Sequence, residues 1–291
     1  MDRRKLWLAG LKPPMYSVAV MPILVGSGIA HYTGHTLRWD ILGVFLLSAV
    51  LILVWENLCN DVFDAETGID VHKYHSLVQL TGNKSLVYQV ANGALALGLA
   101  GIGWICWQNH SLVVAGIILL ACFLGYIYQA PPWRLGYQGL GEILCFFSFG
   151  PLAVSAAYYS QTQSVEPVVW WVAVPVGLSI SLVLFCSHFH QVADDLAAGK
   201  FSPVVRLGTA VSAQLIPIIC GLIYLSVMAG IATQQLPPPT GLAVLSLPWA
   251  VALSQLLLKY HDRPELISHS KFIAIKFQFV LGLGLAVGLW I

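Results

Sequence analysis

The feature that most constrains this chain is a succession of about nine apolar stretches, each close to the roughly 20 residues a helix needs to cross a bilayer. They cover residues 15–33, 41–60, 87–107, 111–128, 142–160, 168–189, 210–233, 240–258 and 272–291. Hydrophobic residues make up 58% of the 291 and charged residues only 9%. A water-soluble domain of that size has no means of hiding so much apolar surface. The runs are continuous rather than alternating, which excludes a β-barrel and predicts an all-α, polytopic membrane bundle. Pro175, Pro217 and Pro248 fall inside runs, where neighbouring groups or water must satisfy the freed carbonyls. Residues 1–291 are expected to form a single integral-membrane domain.

Charge then orients the bundle. Of the 14 Lys and Arg residues, only Arg38 falls on one side of this nine-span scheme. Arg3, Arg4, Lys5, Lys12, Lys73, Lys84, Arg134, Lys200, Arg206, Lys259, Arg263, Lys271 and Lys276 all fall on the other. Cytoplasmic loops are enriched in Lys and Arg, so the N-terminus and the even-numbered loops are expected in the cytoplasm. One missed helix would scramble that segregation. Trp39, Trp107, Trp133, Trp170 and Trp171 sit near span ends, as interfacial anchors do. The net charge of +1 and the lack of a dense basic patch exclude a nucleic-acid partner. The six cysteines show no CxxC or zinc-ribbon spacing and read as reduced packing residues. The basic start runs into a long apolar segment without an A-x-A site, so no cleavable signal peptide is expected.

Two acidic clusters stand out in so uncharged a chain. One follows the second span: Asn57, Asn60, Asp61 and Asp64, with Glu66 and Asp70 beyond. The other follows the sixth: His188, His190, Gln191, Asp194 and Asp195. An even number of spans separates them, so both open to the same face. A carboxylate at a membrane boundary is costly unless a cation, a partner or water offsets it. On a helix, Asn57, Asn60, Asp61 and Asp64 fall at i, i+3, i+4 and i+7 and share a face. Continued as a helix, His188, Gln191 and Asp195 would share a face, with His190 and Asp194 on an adjacent stripe. Two carboxylates a turn apart, with amides beside them, suit Mg²⁺, which takes one or two carboxylates, waters and phosphate oxygens. Facing sets of this kind would hold a diphosphate, with Lys200 and Arg206 on its remaining oxygens. Blander readings stand beside this one. Glu66 and Asp70 read equally well as solvated loop residues, and His72 and His75 read chiefly as such. Glu56 and Glu142 are boundary acids that either serve function or pair with a nearby Arg or Lys. Gly282, Gly284 and Gly288 read as close helix packing.

The motifs also carry a resemblance. Asn60-Asp61-Val62-Phe63-Asp64 resembles the first NDxxD signature of the UbiA-type intramembrane prenyltransferases. Gly125 to Glu142 is similar to the GYxYxxPPxRLxYxGLGE stretch of that family's dihydroxynaphthoate branch, and Ala198 to Gly208 to its AGK…VRLG pattern. The likeness covers essentially the whole chain. One departure concerns the second signature, usually DxxxD: Asp195 matches its second acid, but Gln191 stands at the first. The segment HFHQVADD followed by AGKFSPVVRLG resembles the phylloquinone-making version found in plants and cyanobacteria.

This resemblance implies about nine transmembrane helices around a central, lipid-accessible cavity. It implies transfer of a prenyl group, phytyl above all, from its diphosphate to 1,4-dihydroxy-2-naphthoate, with loss of CO₂ and diphosphate. The expected catalytic residues are Asp61, Asp64, Asp195, Tyr126 and Tyr128. Asp61, Asp64, Asp194 and Asp195 are expected to hold Mg²⁺. Asn57, Asn60, Arg134, His188, Gln191, Lys200 and Arg206 are expected to contact substrate. The tyrosines would stabilise an allylic cation through their ring faces, and membrane lipid would accommodate the tail. The expected location is a plasma or thylakoid membrane. Three other readings remain: homogentisate or another phenol as acceptor, a secondary transporter, and a di-iron oxygenase built on His188, His190, His72 and His75. The last has too few closely spaced histidines.

Overall fold

The computed structural model describes residues 3–69 and 76–291. Asp70, His72, Lys73 and His75 lie outside the described residues. Among the described residues, every regular element is helical. A short helix, α1 (Arg3–Leu11), leads into α2 (Ser17–Tyr32). Then come α3 (Trp39–Thr67), a single turn α4 (Leu77–Thr81), α5 (Lys84–Asn109) and α6 (Val113–Gln129). α7 (Gly141–Phe147) runs through a wide π turn at Ser148–Leu152 into α8 (Ala153–Thr162). The chain continues through α9 (Trp170–His188), α10 (Val192–Ala197), α11 (Pro203–Leu207) and α12 (Thr209–Ala232). A 3₁₀ segment (Pro238–Ser246), α13 (Leu247–Tyr260), α14 (Pro264–Ile267) and α15 (Ser270–Trp290) complete it.

The nine expected spans map onto these elements one for one. Eight described helical segments have the length and apolarity to cross a bilayer. The ninth, α6, is apolar but has 17 residues, about 26 Å at 1.5 Å per residue. It stops at Ala130 because Pro131 and Pro132 follow, and a residue before proline is pushed out of helical geometry. By contrast α3 has 29 residues, about 44 Å, more than a hydrocarbon core needs. Its last turns therefore project beyond the apolar layer and carry the first acidic cluster. Gly68, at φ 72, ends it in the left-handed conformation that glycine adopts without strain.

Packing follows the small residues. A Cβ on Gly150 would lie 2.8 Å from the Gly177 Cα, so two glycines bring the π turn against α9. Gly282 packs on Met21, and Gly284 and Gly288 on the backbone of the 3₁₀ segment. The last span thus uses its glycines for close approach, as expected. α9 and α15 are enclosed on most of their surface, whereas α5 and α12 turn Leu97, Leu222 and Leu225 outward, as helices facing lipid do. All six cysteines are free and at least partly buried. On the end of the bundle away from the acidic clusters, Arg38 is fixed by Asn109 at 3.2 Å, and its backbone N–H donates to Gln161 at 2.9 Å.

Candidate active site

Both acidic clusters open onto one cavity of about 610 Å³. α3 contributes Asn57, Asn60 and Asp64 to its wall, and the end of α9 with α10 contributes His188, His190, Gln191, Asp194 and Asp195. Lys12, Lys200 and Lys271 also line it, with Tyr128 from α6. Deeper, the walls become apolar: Leu53, Leu124, Leu144, Phe149, Ile180 and Val183. A polar mouth above an apolar interior is the shape required by a ligand with a charged head and a hydrocarbon tail.

The two acids of the first cluster diverge. Asp64 faces the cavity, and the Tyr137 hydroxyl donates to its Oδ1 at 3.2 Å. Thr67 Oγ1 lies 2.7 Å from the same hydroxyl. Asp61 is 1% exposed and is not part of the cavity wall. Its Oδ2 accepts the Leu77 N–H at 2.9 Å, and its Oδ1 lies 3.3 Å from Lys12 Nζ. Asp61 thus satisfies an open amide at the start of α4 and holds a lysine that does reach the cavity. Burial, with the nearby Asp64 charge, pushes the Tyr137 hydroxyl well above the usual range, so it remains a proton donor.

The second cluster is not one helix. α9 stops at His188, Gln191 turns the chain at φ −113 and ψ 9, and α10 starts at Val192. The break lets His188 Nδ1 meet Asp195 Oδ2 at 2.9 Å, while His188 Nε2 lies 3.6 Å from Glu142. Lys200 Nζ stands 3.6 Å from the other Asp195 oxygen. Burial opposes ionisation of Asp195, but the His188 hydrogen bond and the Lys200 charge outweigh it and hold its pKa below the usual value. His190 is pushed down to about 4 by burial, with Lys271 and His188 adding to the effect, so it is neutral near pH 7. Its Nδ1, Asn57 Nδ2 and Asp195 Oδ1 are buried atoms without a hydrogen-bond partner.

Other expected residues are placed elsewhere. Tyr126 turns outward, 37% exposed, with its ring edge-on to Phe63. Tyr126 and Tyr128 are two positions apart on a helix and so point in different directions. Gly136 and Gly141 lie against the Tyr128 ring and leave it room at the cavity wall. Arg134 pairs with Glu66 at 3.1 Å, and Lys84 pairs with the same acid at 2.7 Å. Arg206 donates to the carbonyls of Phe201 and Gln138, both at 3.0 Å, and so clamps the loop after α6 to the loop after α10. Gly139 makes that clamp possible. Its φ is +81, and a Cβ there would lie 2.7 Å from the Phe201 carbonyl oxygen. Gly139→Ala is expected to cost about 1–3 kcal/mol of stability, read as a lower melting temperature of the purified protein. The sequence reading placed His190 in the second cluster without giving it a role in prenyl transfer, and missed Lys12, Lys271 and Tyr137 as site residues. Only Tyr137 had a signal, its place in the GYxYxxPPxRLxYxGLGE stretch.

Among the described residues, no three His, Cys, Asp or Glu side chains form a ready-made metal cage. The donors present are hard oxygens on facing elements, Asn60 and Asp64 against Asp194 and Asp195, and one Asp195 oxygen lacks a hydrogen-bond partner. That set fits Mg²⁺, which keeps waters and completes its shell from substrate phosphate.

A protein built this way is a membrane-embedded transferase of prenyl diphosphates in form. The UbiA prenyltransferase family matches residues 19–275, and the chain belongs to that family. It is 51% identical over 98% of its length, and 93% of the relative's, to a 2-carboxy-1,4-naphthoquinone phytyltransferase of Synechocystis sp.. It is 40% identical to the chloroplastic 2-carboxy-1,4-naphthoquinone phytyltransferase of Arabidopsis thaliana, over 99% of this chain and 77% of the relative. Among solved structures it resembles a UbiA homologue from Archaeoglobus fulgidus bound to GPP and Mg²⁺. The TM-score is 0.60 at 18% identity, over 97% of this chain and 99% of that one. That likeness is of fold.

Proposed function

We propose that this chain transfers a phytyl group from phytyl diphosphate to 1,4-dihydroxy-2-naphthoate, with release of CO₂ and diphosphate, in phylloquinone or menaquinone biosynthesis. The observation that carries this reading is the single cavity in which two acid-and-amide faces oppose each other at a lysine-lined mouth above apolar walls. The naphthoate acceptor is supported by the relatives' names, which give its quinone form. The dihydroxy form is the one with an electron-rich ring carbon. The family match moves the weight from a transporter to prenyl transfer.

Asn60, Asp64, Asp194 and Asp195 would hold Mg²⁺, which supplies positive charge to the diphosphate as the allylic C–O bond breaks. Lys12, Lys200 and the open Asn57 amide donate to the remaining oxygens, where they stabilise the charge that develops on the leaving group. His188 orients Asp195 through its 2.9 Å contact. The apolar walls exclude water, which would otherwise trap the allylic cation as an alcohol. The Tyr128 ring face offers that cation electron density. Loss of the acceptor's carboxylate takes the place of proton loss from the attacked carbon. Residues 1–291 act as one catalytic unit with the N-terminus and the site on the cytoplasmic face of a plasma or thylakoid membrane. The tail lies toward the lipid.

Purified protein in lipid vesicles, given Mg²⁺ and phytyl diphosphate, is expected to convert reduced 1,4-dihydroxy-2-naphthoate to a phytylated naphthoquinol with CO₂ release. Product identified by mass only from homogentisate would overturn the acceptor. No product from either acceptor, across several tail lengths, would overturn prenyl transfer itself.

A further inference from the structure

Glu56 lies one turn deeper along α3 than Asn60, and the diphosphate machinery does not use it. It lines the main cavity and also a smaller apolar recess walled by Ala49, Ile118, Cys122, Phe149 and Ala153. A carboxyl in such surroundings is costly without a partner. Gln129 Nε2 donates to its backbone carbonyl at 3.3 Å, but among the described residues nothing donates to its carboxylate. The titratable groups facing it are thiols: Cys59 on its own helix, Cys122 on α6 and Cys145 on α7. Its niche is cut into the neighbouring helix. A Cβ on Gly125 would lie 2.9 Å from Glu56 Oε1, so a larger residue there would push the carboxylate aside.

The level of this group in the cavity limits what it can touch. With the diphosphate held beside Asn60 and Asp64, the first tail carbon lies deeper, and an acceptor ring that reaches it comes to the level of Glu56. Resting on the proposed prenyl transfer, we infer that Glu56 accepts a hydrogen bond from the acceptor hydroxyl next to the reacting carbon and carries that proton through the reaction. As ring carbon 2 bonds to the tail and the C–O bond to diphosphate breaks, the hydroxyl at carbon 1 becomes a carbonyl and its proton passes to Glu56. Carbon 2 then bears the tail and the carboxylate beside a ketone. Its bond to the carboxylate breaks, CO₂ leaves, the electron pair forms the enolate, and Glu56 returns the proton to that oxygen. The product is the quinol, with no net gain or loss of protons. A carboxylate facing the allylic cation directly would capture it as an ester; the acceptor hydroxyl between them prevents this.

Glu56→Gln keeps the size and the hydrogen-bonding capacity but cannot take a proton. In Mg²⁺-loaded vesicles, its kcat with 1,4-dihydroxy-2-naphthoate is expected to fall about 100-fold, a typical share for general acid–base catalysis. KM for phytyl diphosphate and binding of the inert phytyl thiodiphosphate should not change. Wild type should turn over the 1-methoxy analogue far more slowly than the hydroxyl acceptor, and the variant should lose most of that discrimination. Wild-type kcat in Glu56→Gln, or an unchanged hydroxyl-to-methoxy ratio, would overturn the inference alone. Should the variant fail to bind the thiodiphosphate, equal turnover of the two acceptors by wild type would overturn it. A wild type that binds the thiodiphosphate but transfers nothing to the naphthoate would overturn the proposed function and this inference together.

Discussion

Asp64→Ala is expected to lower kcat/KM for phytyl transfer by about 10³-fold, the upper range for removing one group that stabilises transition-state charge. Its melting temperature should stay close to wild type. The argument rests on the asymmetry of the first cluster. Of the two aspartates in that cluster, Asp64 is the one that lines the cavity, and the hydroxyl that holds it keeps a second partner, Thr67 at 2.7 Å, when the carboxylate is gone. The Tyr137 hydroxyl is therefore not stranded, and the loss should appear in the chemistry and in a weakened response to Mg²⁺. Asp61→Ala should differ in kind. It removes the Lys12 contact and leaves the Leu77 N–H at the start of α4 without that acceptor. Activity should fall, but thermal stability should fall with it, because a buried amide is left unsatisfied. Parallel Mg²⁺ titrations and melting curves separate the two. Near-normal transfer by Asp64→Ala at limiting Mg²⁺ would remove Asp64 from the metal site.

The bundle was legible because its signals are local. Span length, continuous apolarity and the isolation of Arg38 from the other basic residues each follow from the bilayer as solvent. The existence of the two acidic clusters, and their opening on one face, followed from counting spans. The direction in which each side chain points was less legible. Asp61 and Asp64 belong to one helical stripe in an idealised projection, yet α4 packs against α3 and its Leu77 N–H, with Lys12, engages Asp61. Tyr126 and Tyr128 form a tempting pair in the sequence but diverge on the helix. The break at Phe189–Gln191 carries no proline or glycine and is visible only once His188 is seen to reach Asp195. Long side chains are the least predictable. Arg134 and Arg206 end on Glu66 and on loop carbonyls, positions set by how the loops fold. Lys12 and Lys271 enter the site from opposite ends of the chain, which no local pattern reveals. Glu56 was read as either functional or paired, and that nothing among the described residues donates to its carboxylate is a tertiary fact.

The Asp195–Lys200 pair should show stability and catalysis responding differently to the same charges. Both side chains are buried, Asp195 at 0% and Lys200 at 8% exposure, and His188 contacts the acid from the other side. Asp195→Asn takes the 3.6 Å counter-charge from an enclosed ammonium, and Lys200→Met leaves the carboxylate with the donors His188 and Ser202. Breaking one side of a buried pair costs about 3–5 kcal/mol, whereas replacing both members is often close to neutral. Each single variant is therefore expected to melt well below wild type, and the double variant to recover most of the loss. Transfer activity should not recover with it. Asp195 and Lys200 face the diphosphate as well as each other, so the double variant has a stable cavity without the groups that stabilise the leaving charge, and its kcat should stay at or below the weaker single variant. Melting temperatures and kcat from the same four preparations test this. A double variant that regains both would make the pair a packing device. One that regains neither would mean that His188, held by Asp195, is the member on which the fold depends.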